Sequence, residues 1–396
     1  MRLRYDDATE AFRAELRAWL ADNVPSREER EANPRLSSAH MPAWARAWQR
    51  RLFDAGWLVP GWPPELGGRD ATAVQQMVYF EEFARIDVPR ATSPQSLGII
   101  APSLFDHGDA EQRERYLLPT LRGEISWCVG MSEPGAGSDL AALSTRAELR
   151  DDHFVVNGQK VWTSGAHHAD HCFCFVRTDS SGAKHHGISV LVIPMDSDGV
   201  VCRPLPELTD PDEADFNEVF FSDVEVPRAN LVGELHRGWA MALGSLTHER
   251  GMLWIMNATT IERNLTRLLE LARDERDGRR LADDPLFRDR VADLYIDAQA
   301  MQFMGYRGFA RAARGEAAPE HAILKLFGSE LEQRLYLTAV EFLGREALDV
   351  EEGEGLVYGE GTWALQYLRS FAHTIAGGTS QIQRNIIAER VLGLPR

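Results

Sequence analysis

Near residue 125 the spacing of the apolar residues changes period, and near residue 235 it changes back. Between those points the hydrophobic residues fall in short alternating or β-branched runs: HFVVNGQKVWT at 153–163, HCFCFVRT at 171–178, GISVLVIPM at 187–195 and NEVFFSDVEVP at 217–227. Turn-forming clusters at 179–182 and 196–199 separate the runs, so this stretch predicts an antiparallel β domain, a barrel or a sandwich. On both sides the spacing is helical, at 8–22, 42–55, 72–86 and 109–122 before it and at 238–273, 285–314, 319–345, 361–374 and 380–392 after it. Asp109 offers a cap for the helix that follows it. A helix-period stripe buries nothing as a strand, and a strand-period stripe buries nothing as a helix. The expected fold is therefore α+β, in three parts: an N-terminal helical domain (1–124), a central antiparallel β domain (125–234) and a C-terminal four-helix-bundle domain (235–396).

A chain of 396 residues buries a core large enough for such a division. Its net charge of −17 argues against nucleic acid, which needs a basic surface. The lysines are Lys160, Lys184 and Lys325, and the arginines are spread along the chain rather than gathered in a patch. No apolar run reaches the roughly 18–20 residues that span a bilayer. The first twenty residues carry Asp6, Asp7, Glu10 and Glu15, which suit neither a transit peptide nor the apolar centre of a secretory signal. Cys128, Cys172, Cys174 and Cys202 lack metal-site spacing and read as free thiols. These features lead us to expect a cytoplasmic protein.

Three loops and one helix carry chemistry. Trp127-Cys-Val-Gly-Met-Ser-Glu-Pro-Gly-Ala-Gly-Ser-Asp139 is a Gly-rich turn whose hydroxyls and N–H groups suit either a phosphate, the polar edge of a ring, or an ordinary tight loop. Lys160-Val-Trp-Thr-Ser-Gly165 sets an aromatic beside two hydroxyls at a strand end, a stacking platform or a core tryptophan. Gly377-Gly378-Thr379-Ser380 is a loop open to close backbone approach, yet it holds no group that moves a proton. His167, His168, His171, His185 and His186 have no acidic or cysteine ligand at a supporting spacing, so a solvated loop is preferred over a zinc site. In the helix 238–273, Trp239, Ala242, Leu246, Glu249, Leu253 and Met256 recur every three or four residues. Glu249 is the one charge on that face. A carboxylate there is either paired or a general base with a raised pKa.

Taken together these stretches resemble the acyl-CoA dehydrogenase family. The resemblance is carried by Gly130-Met-Ser-Glu-Pro-Gly-Ala-Gly-Ser-Asp139, Trp162-Thr-Ser164, Leu246-Thr-His-Glu-Arg250 and Gly378-Thr-Ser-Gln-Ile-Gln383, in order over nearly the whole chain. It implies an FAD enzyme that oxidises an acyl-CoA thioester between Cα and Cβ. By position, Met131, Ser132 and Ser138 would lie against the flavin and the CoA arm. Trp162, Thr163 and Ser164 would flank the flavin ring, with Ser164 near N5. Gly378, Thr379 and Gln381 would meet the dinucleotide, and Ser138 and Arg250 would serve the substrate.

Many members of that family carry the catalytic glutamate just before the C-terminal Gly-Thr-Ser, where this chain has Gly377. A minority, the isovaleryl and long-chain branches among them, carry it on the neighbouring helix in the context Leu-x-x-Glu-Arg. Glu249 is thus selected both by helical spacing and by resemblance, as the base for the α-proton, with flavin N5 taking the β-hydride. Gly377 would keep a backbone N–H for the thioester oxygen, the FAD ribityl hydroxyl being the second donor. The superficially similar Tyr358-Gly-Glu360-Gly-Thr362 lacks the following Ser-Gln-Ile-Gln and reads as a turn capping the next helix. The sequence departs from the family where an Arg-x-Thr-Phe-Gly segment usually reaches a neighbouring subunit's FAD: it has Arg273-Asp-Glu-Arg-Asp-Gly278. It departs again at Glu341-Phe-Leu-Gly344-Arg345, in place of Gln-x-x-Gly-Gly. Arg273, Arg276 and Arg345 are the candidate substitutes. The resemblance further implies an electron-transfer flavoprotein as acceptor and a homo-oligomer, a tetramer or dimer of dimers. The alternatives are a flavin oxidase or monooxygenase on the same scaffold, or one subunit of a hetero-oligomeric dehydrogenase.

Overall fold

The computed structural model describes residues 5–86, 88–209, 214–275, 278–312, 314, 316, 318–348 and 362–395, with backbone alone at 243–253, 312 and 321. The N-terminal part is helical: α1 (Asp7–Asn23), α2 (Arg27–Glu31), α3 (Ala43–Asp54), α4 (Ala73–Phe83), α5 (Ala101–His107), α6 (Ala110–Gln112) and α7 (Leu118–Leu121). The helix expected over 109–122 is instead two short pieces joined by a widened π turn at Arg113–Leu117, with Pro119 at the start of α7. Asp109 does cap its start: its side chain accepts from Gln112 N, and the Gln112 side chain reaches back to the Asp109 N–H. Eight strands follow: β1 (Trp127–Gly130), β2 (Arg146–Arg150), β3 (His153–Lys160), β4 (His171–Arg177), β5 (Ile188–Pro194), β6 (Val200–Pro204), β7 (Asn217–Pro227) and β8 (Leu231–Val232). Then come α8 (Gly238–Leu271), α9 (Pro285–Ala312), α10 (Glu320–Leu343), α11 (Trp363–Ile375) and α12 (Ser380–Ile386). The architecture is α+β, as the texture of the sequence predicts. Among the described residues no helix is long and apolar enough to cross a membrane.

The chain divides into two compact units, one of residues 17–72 and 88–249, the other of residues 1–16, 73–87 and 250–396. The first holds the sheet, in the order β6-β7-β3-β2-β4-β5-β8. Its pairs are antiparallel except along one edge of β4, where β1 runs parallel from Trp127↔His171 to Gly130↔Cys174 and β2 meets only Arg177. Cys128, Phe154, Val156, Cys172, Cys174, Leu191, Val219 and Val224 form a core on one face. Phe173, Phe175, Val190 and Val192 are equally buried on the other. Burial on both faces explains why β4 and β5 read as continuous apolar runs rather than alternating ones.

The second unit is a helical core built by stripes at three- and four-residue spacing. It gathers Ile255, Ile261, Leu265 and Leu268 of α8, Val291, Leu294 and Met301 of α9, Leu331, Leu335 and Ala339 of α10, Trp363 of α11 and Met77 of α4. At Gly305 a Cβ would come within 2.1 Å of the Trp254 ring, so α9 and α8 meet where α9 has no side chain. A polar staple closes the α1 side. Arg13 donates to Glu82 at 2.6 Å and to Glu81 at 3.0 Å, and the hydroxyls of Tyr5 and Tyr306 donate to Glu81 at 2.9 and 3.1 Å.

Candidate active site

In the sheet unit two strands end side by side and their loops are stitched together. β1 runs into the Gly-rich loop 131–139 and β3 into 161–165, and Val161 N donates to Ser132 O at 2.9 Å. Beneath them Lys160 is fully buried. Its Nζ donates to Met131 O at 3.1 Å and to Glu133 Oε1 at 2.8 Å. Glu133 also accepts from Thr145 N at 2.8 Å, from Ser144 N at 2.6 Å and from Ser144 Oγ at 2.8 Å. Burial alone would raise the Glu133 carboxyl. The Lys160 ammonium and the donors from Lys160, Thr145 and Ser144 outweigh it and hold the group at about 2. Gly130 makes room for this pair: a Cβ there would lie 2.9 Å from Cys172 Sγ and 3.3 Å from Lys160 Cγ.

The strand expected over 153–163 stops at Lys160 because Trp162 takes a left-handed backbone, φ +58°. That turn swings the indole out, and it is 61% exposed with its edge contact to Phe216 at 5.8 Å. Thr163 is anchored by the exchange of Thr163 N to Asn217 O at 3.0 Å and Asn217 Nδ2 to Thr163 O at 3.1 Å. Thr163 is buried, yet its Oγ1 has no hydrogen-bond partner among the described residues. Ser132, Met131 and Ser164 are half-buried beside it, while Ser138 is exposed. Gly165 N donates to Asp215 O at 2.7 Å, and Asp215 Oδ1 accepts from Ser38 N at 2.7 Å, fixing the loop from below. The nearby histidines are occupied with one another. His168 lies 4.2 Å from His167 and 4.8 Å from His40 between ring centroids, and burial first, then those two neighbours, push it down to about 4. Among the described residues no group of three His, Cys, Asp or Glu side chains is placed to hold a metal ion.

The helical unit carries the other candidates. Gly377 and Gly378 have φ of +64° and +95°, and Thr379 caps α12 by accepting from Ile382 N at 3.2 Å. Among the described residues no atom beyond its chain neighbours lies within 4 Å of where a Cβ of Gly377 would stand. Gln381 is exposed and Gln383 is fully buried. Glu249 and Arg250 sit in unbroken helix α8, but their side chains are outside the described residues, as is the whole of 349–361 with Glu360. The residues present fit a flavin. An outward-facing indole suits a planar ring, a buried hydroxyl lacking a partner suits its polar edge, and a positive-φ glycine pair suits close approach of a phosphate or carbonyl oxygen. Sequence reasoning missed Glu133 as the partner of Lys160, and it missed Lys325 and Gln383, whose side chains hold the glycine loop. The available signal was the scarcity of lysine, two of the three bonding the carbonyls of these loops from a neighbouring strand and helix.

Family models for the acyl-CoA dehydrogenase N-terminal, middle and C-terminal domains match residues 6–124, 128–224 and 236–392. The chain is 39% identical over 404 residues to acyl-CoA dehydrogenase IpdE1 of Mycobacterium tuberculosis, covering 98% of each. It superposes with a TM-score of 0.83 on the ChsE4–ChsE5 complex from Mycobacterium tuberculosis at 32% identity, with 100% of both chains covered. The steroid ACAD Tcur3481–Tcur3483 gives the same TM-score, 0.83, at 30% identity and 100% coverage of both.

Proposed function

The chain belongs to the acyl-CoA dehydrogenase family, and on that premise we propose that it is an FAD-dependent dehydrogenase converting a bulky, steroid-type acyl-CoA thioester to its trans-2-enoyl-CoA. The observation that carries the cofactor assignment is the 161–165 loop, with its exposed Trp162 ring and the unpartnered Thr163 hydroxyl. The substrate class is supported by the steroid ACAD at 30% identity over the full length. Bound FAD supplies the acceptor for the β-hydride. Glu249 takes the α-proton, and the Gly377 N–H donates to the thioester oxygen as negative charge gathers there. Met131, Ser132, Trp162, Thr163 and Ser164 hold the ring, Gly378, Thr379 and Gln381 the dinucleotide, and Ser138 and Arg250 the CoA thioester. The electrons then pass to an electron-transfer flavoprotein. The free cysteines suit work in the reducing cytoplasm.

The test is anaerobic flavin bleaching against short, branched, long-chain and steroid-type acyl-CoAs. One FAD per chain is expected, bleached fastest by a steroid-type thioester and reoxidised slowly in air. Protein that stays colourless after reconstitution with FAD would sink the reading, and rapid reoxidation in air would favour an oxidase.

The chain is further proposed to work as an assembly of chains of its own fold. Tyr295, Ile296 and Phe303 of α9 are 53%, 62% and 65% exposed, more apolar surface than one helix ordinarily leaves to water. The related ChsE4–ChsE5 structure is described as a complex, which makes a second, related chain as admissible a partner as an identical one. Light scattering is expected to give a multiple of 44.4 kDa, alone or with such a partner. A 44.4 kDa monomer with full flavin occupancy contradicts the assembly.

A further inference from the structure

We infer that Lys325 and Gln383 are positioning residues that aim two backbone N–H groups of the 377–379 loop at a ligand oxygen, a cofactor phosphate or the thioester carbonyl. The inference rests on the dehydrogenase reading. Lys325 Nζ, from α10, donates to Gly378 O at 2.7 Å. Gln383 Nε2, from α12, donates to Gly377 O at 3.1 Å and to Gly378 O at 3.4 Å. Two successive carbonyls therefore converge on the same nitrogen. The peptides are trans, and in a trans unit the C=O and N–H point in opposite directions. Gly377 O shares its unit with the Gly378 N–H, and Gly378 O shares its unit with the Thr379 N–H. Pinning both oxygens toward Lys325 and Gln383 turns both N–H groups to the opposite face of the loop. Successive N–H groups on one face make a concavity for an oxygen that carries or develops negative charge.

The loop is built to keep that orientation. Both glycines have positive φ, and a Cβ on Gly378 would come within 2.8 Å of Gln383 Nε2, so the amide nitrogen occupies the space that a side chain at 378 would need. Gln383 is fully buried and its Oε1 has no hydrogen-bond partner among the described residues. A buried amide that leaves its oxygen unsatisfied is not optimal for packing alone, and what it gains is the pair of bonds its nitrogen makes. Lys325 adds a charge-assisted bond, stronger than a neutral one, to the same oxygen. Neither residue need touch the ligand, since they act through the peptide planes.

The experiment compares wild-type holoenzyme with Lys325→Met, Gln383→Met and Lys325→Ala. It measures the FAD dissociation constant, kcat and KM at saturating FAD with a thioester that the wild type turns over, and the melting temperature of the apoprotein. Each Met variant is expected to lose about tenfold, the equivalent of one such bond. Loss in FAD affinity with kcat preserved at saturating FAD identifies the cofactor phosphate as the oxygen. Loss in kcat with KM and FAD affinity preserved identifies the thioester carbonyl. In Lys325→Ala, added ethylammonium is expected to restore whichever quantity fell, while leaving Gln383→Met unimproved; a merely structural lysine would show no such selective rescue. Met variants that match wild type in both quantities overturn the inference. So does a loss that only tracks the apoprotein melting temperature and that ethylammonium does not restore. A wild type that binds no FAD and is bleached by no thioester overturns the dehydrogenase reading itself, whereas silent variants of an active yellow enzyme overturn only the clamp.

Discussion

Glu249→Gln is expected to lower turnover by about two to four orders of magnitude, the range a positioned general base contributes, while the protein keeps its FAD and still binds substrate. Glutamine preserves the shape of the side chain and its hydrogen bonding but cannot take a proton. The warrant is the helical spacing that sets Glu249 among Trp239, Ala242, Leu246, Leu253 and Met256, on a helix that runs unbroken from Gly238 to Leu271. The family's more common position for the base is filled by Gly377, and among the described residues no atom beyond its chain neighbours lies within 4 Å of a would-be Cβ. Glu249→Gly combined with Gly377→Glu is therefore expected to recover part of the lost rate. Recovery is partial because φ +64° is a left-handed backbone that costs a non-glycine residue about 1 kcal/mol. Glu360→Gln is expected to leave the rate unchanged, since Glu360 lacks the Ser-Gln-Ile-Gln context of the family motif. Anaerobic single-turnover bleaching checks all three. Glu249→Gln bleaching at the wild-type rate would mean that another group is the base.

The layout of the fold was legible because the two periods differ and each persists for many residues. What the sequence hid was set by contacts between distant residues. β2 reads Arg-Ala-Glu-Leu-Arg, an alternation only five residues long in which Ala147 is buried and Leu149 is exposed, so its strand signal is weak. β1 is four residues long, merges into the Gly-rich loop, and becomes a strand by pairing with β4. Strand β3 ends early because Trp162 is left-handed, a conformation that nothing in its residue type announces. The glycines and hydroxyls of the candidate site were visible, since their chemistry is local. Their supports were not. Lys160 finds Glu133 at a separation of 27 residues and Lys325 finds Gly378 at 53, and a lysine in a strand or helix ordinarily reads as solvated.

Lys160→Met is expected to cost about 3–5 kcal/mol of stability, the range for breaking a buried ion pair, because it leaves the Glu133 carboxylate buried without its counter-charge. Glu133→Gln is expected to cost less, since the one amide oxygen still accepts from Ser144 N and Oγ while Lys160 keeps Met131 O, and what is lost is the acceptor for Thr145 N and Lys160. The double variant Lys160→Met with Glu133→Gln is expected to lose clearly less stability than the sum of the two single losses, as coupled partners are not additive. Acid should expose the same pair. Glu133 titrates at about 2 when folded and at its ordinary 4.5 when unfolded, so between those values the unfolded chain binds the extra proton. The stability contributed by this carboxylate is therefore complete above pH 4.5 and is lost as pH falls from 4.5 toward 2. In Glu133→Gln that part of the acid slope should vanish. Urea unfolding of the four proteins between pH 7 and 3 checks the cycle and the slope together. Strict additivity, or an unchanged acid slope in Glu133→Gln, would show that the two charges do not support each other. The same pair bonds the strand-end segments that carry Met131 and Trp162, so a double variant that regains stability is still expected to release flavin faster than wild type: Met131 O has lost its donor, and the link from the Gly-rich loop to the 161–165 loop then rests on Val161 N to Ser132 O.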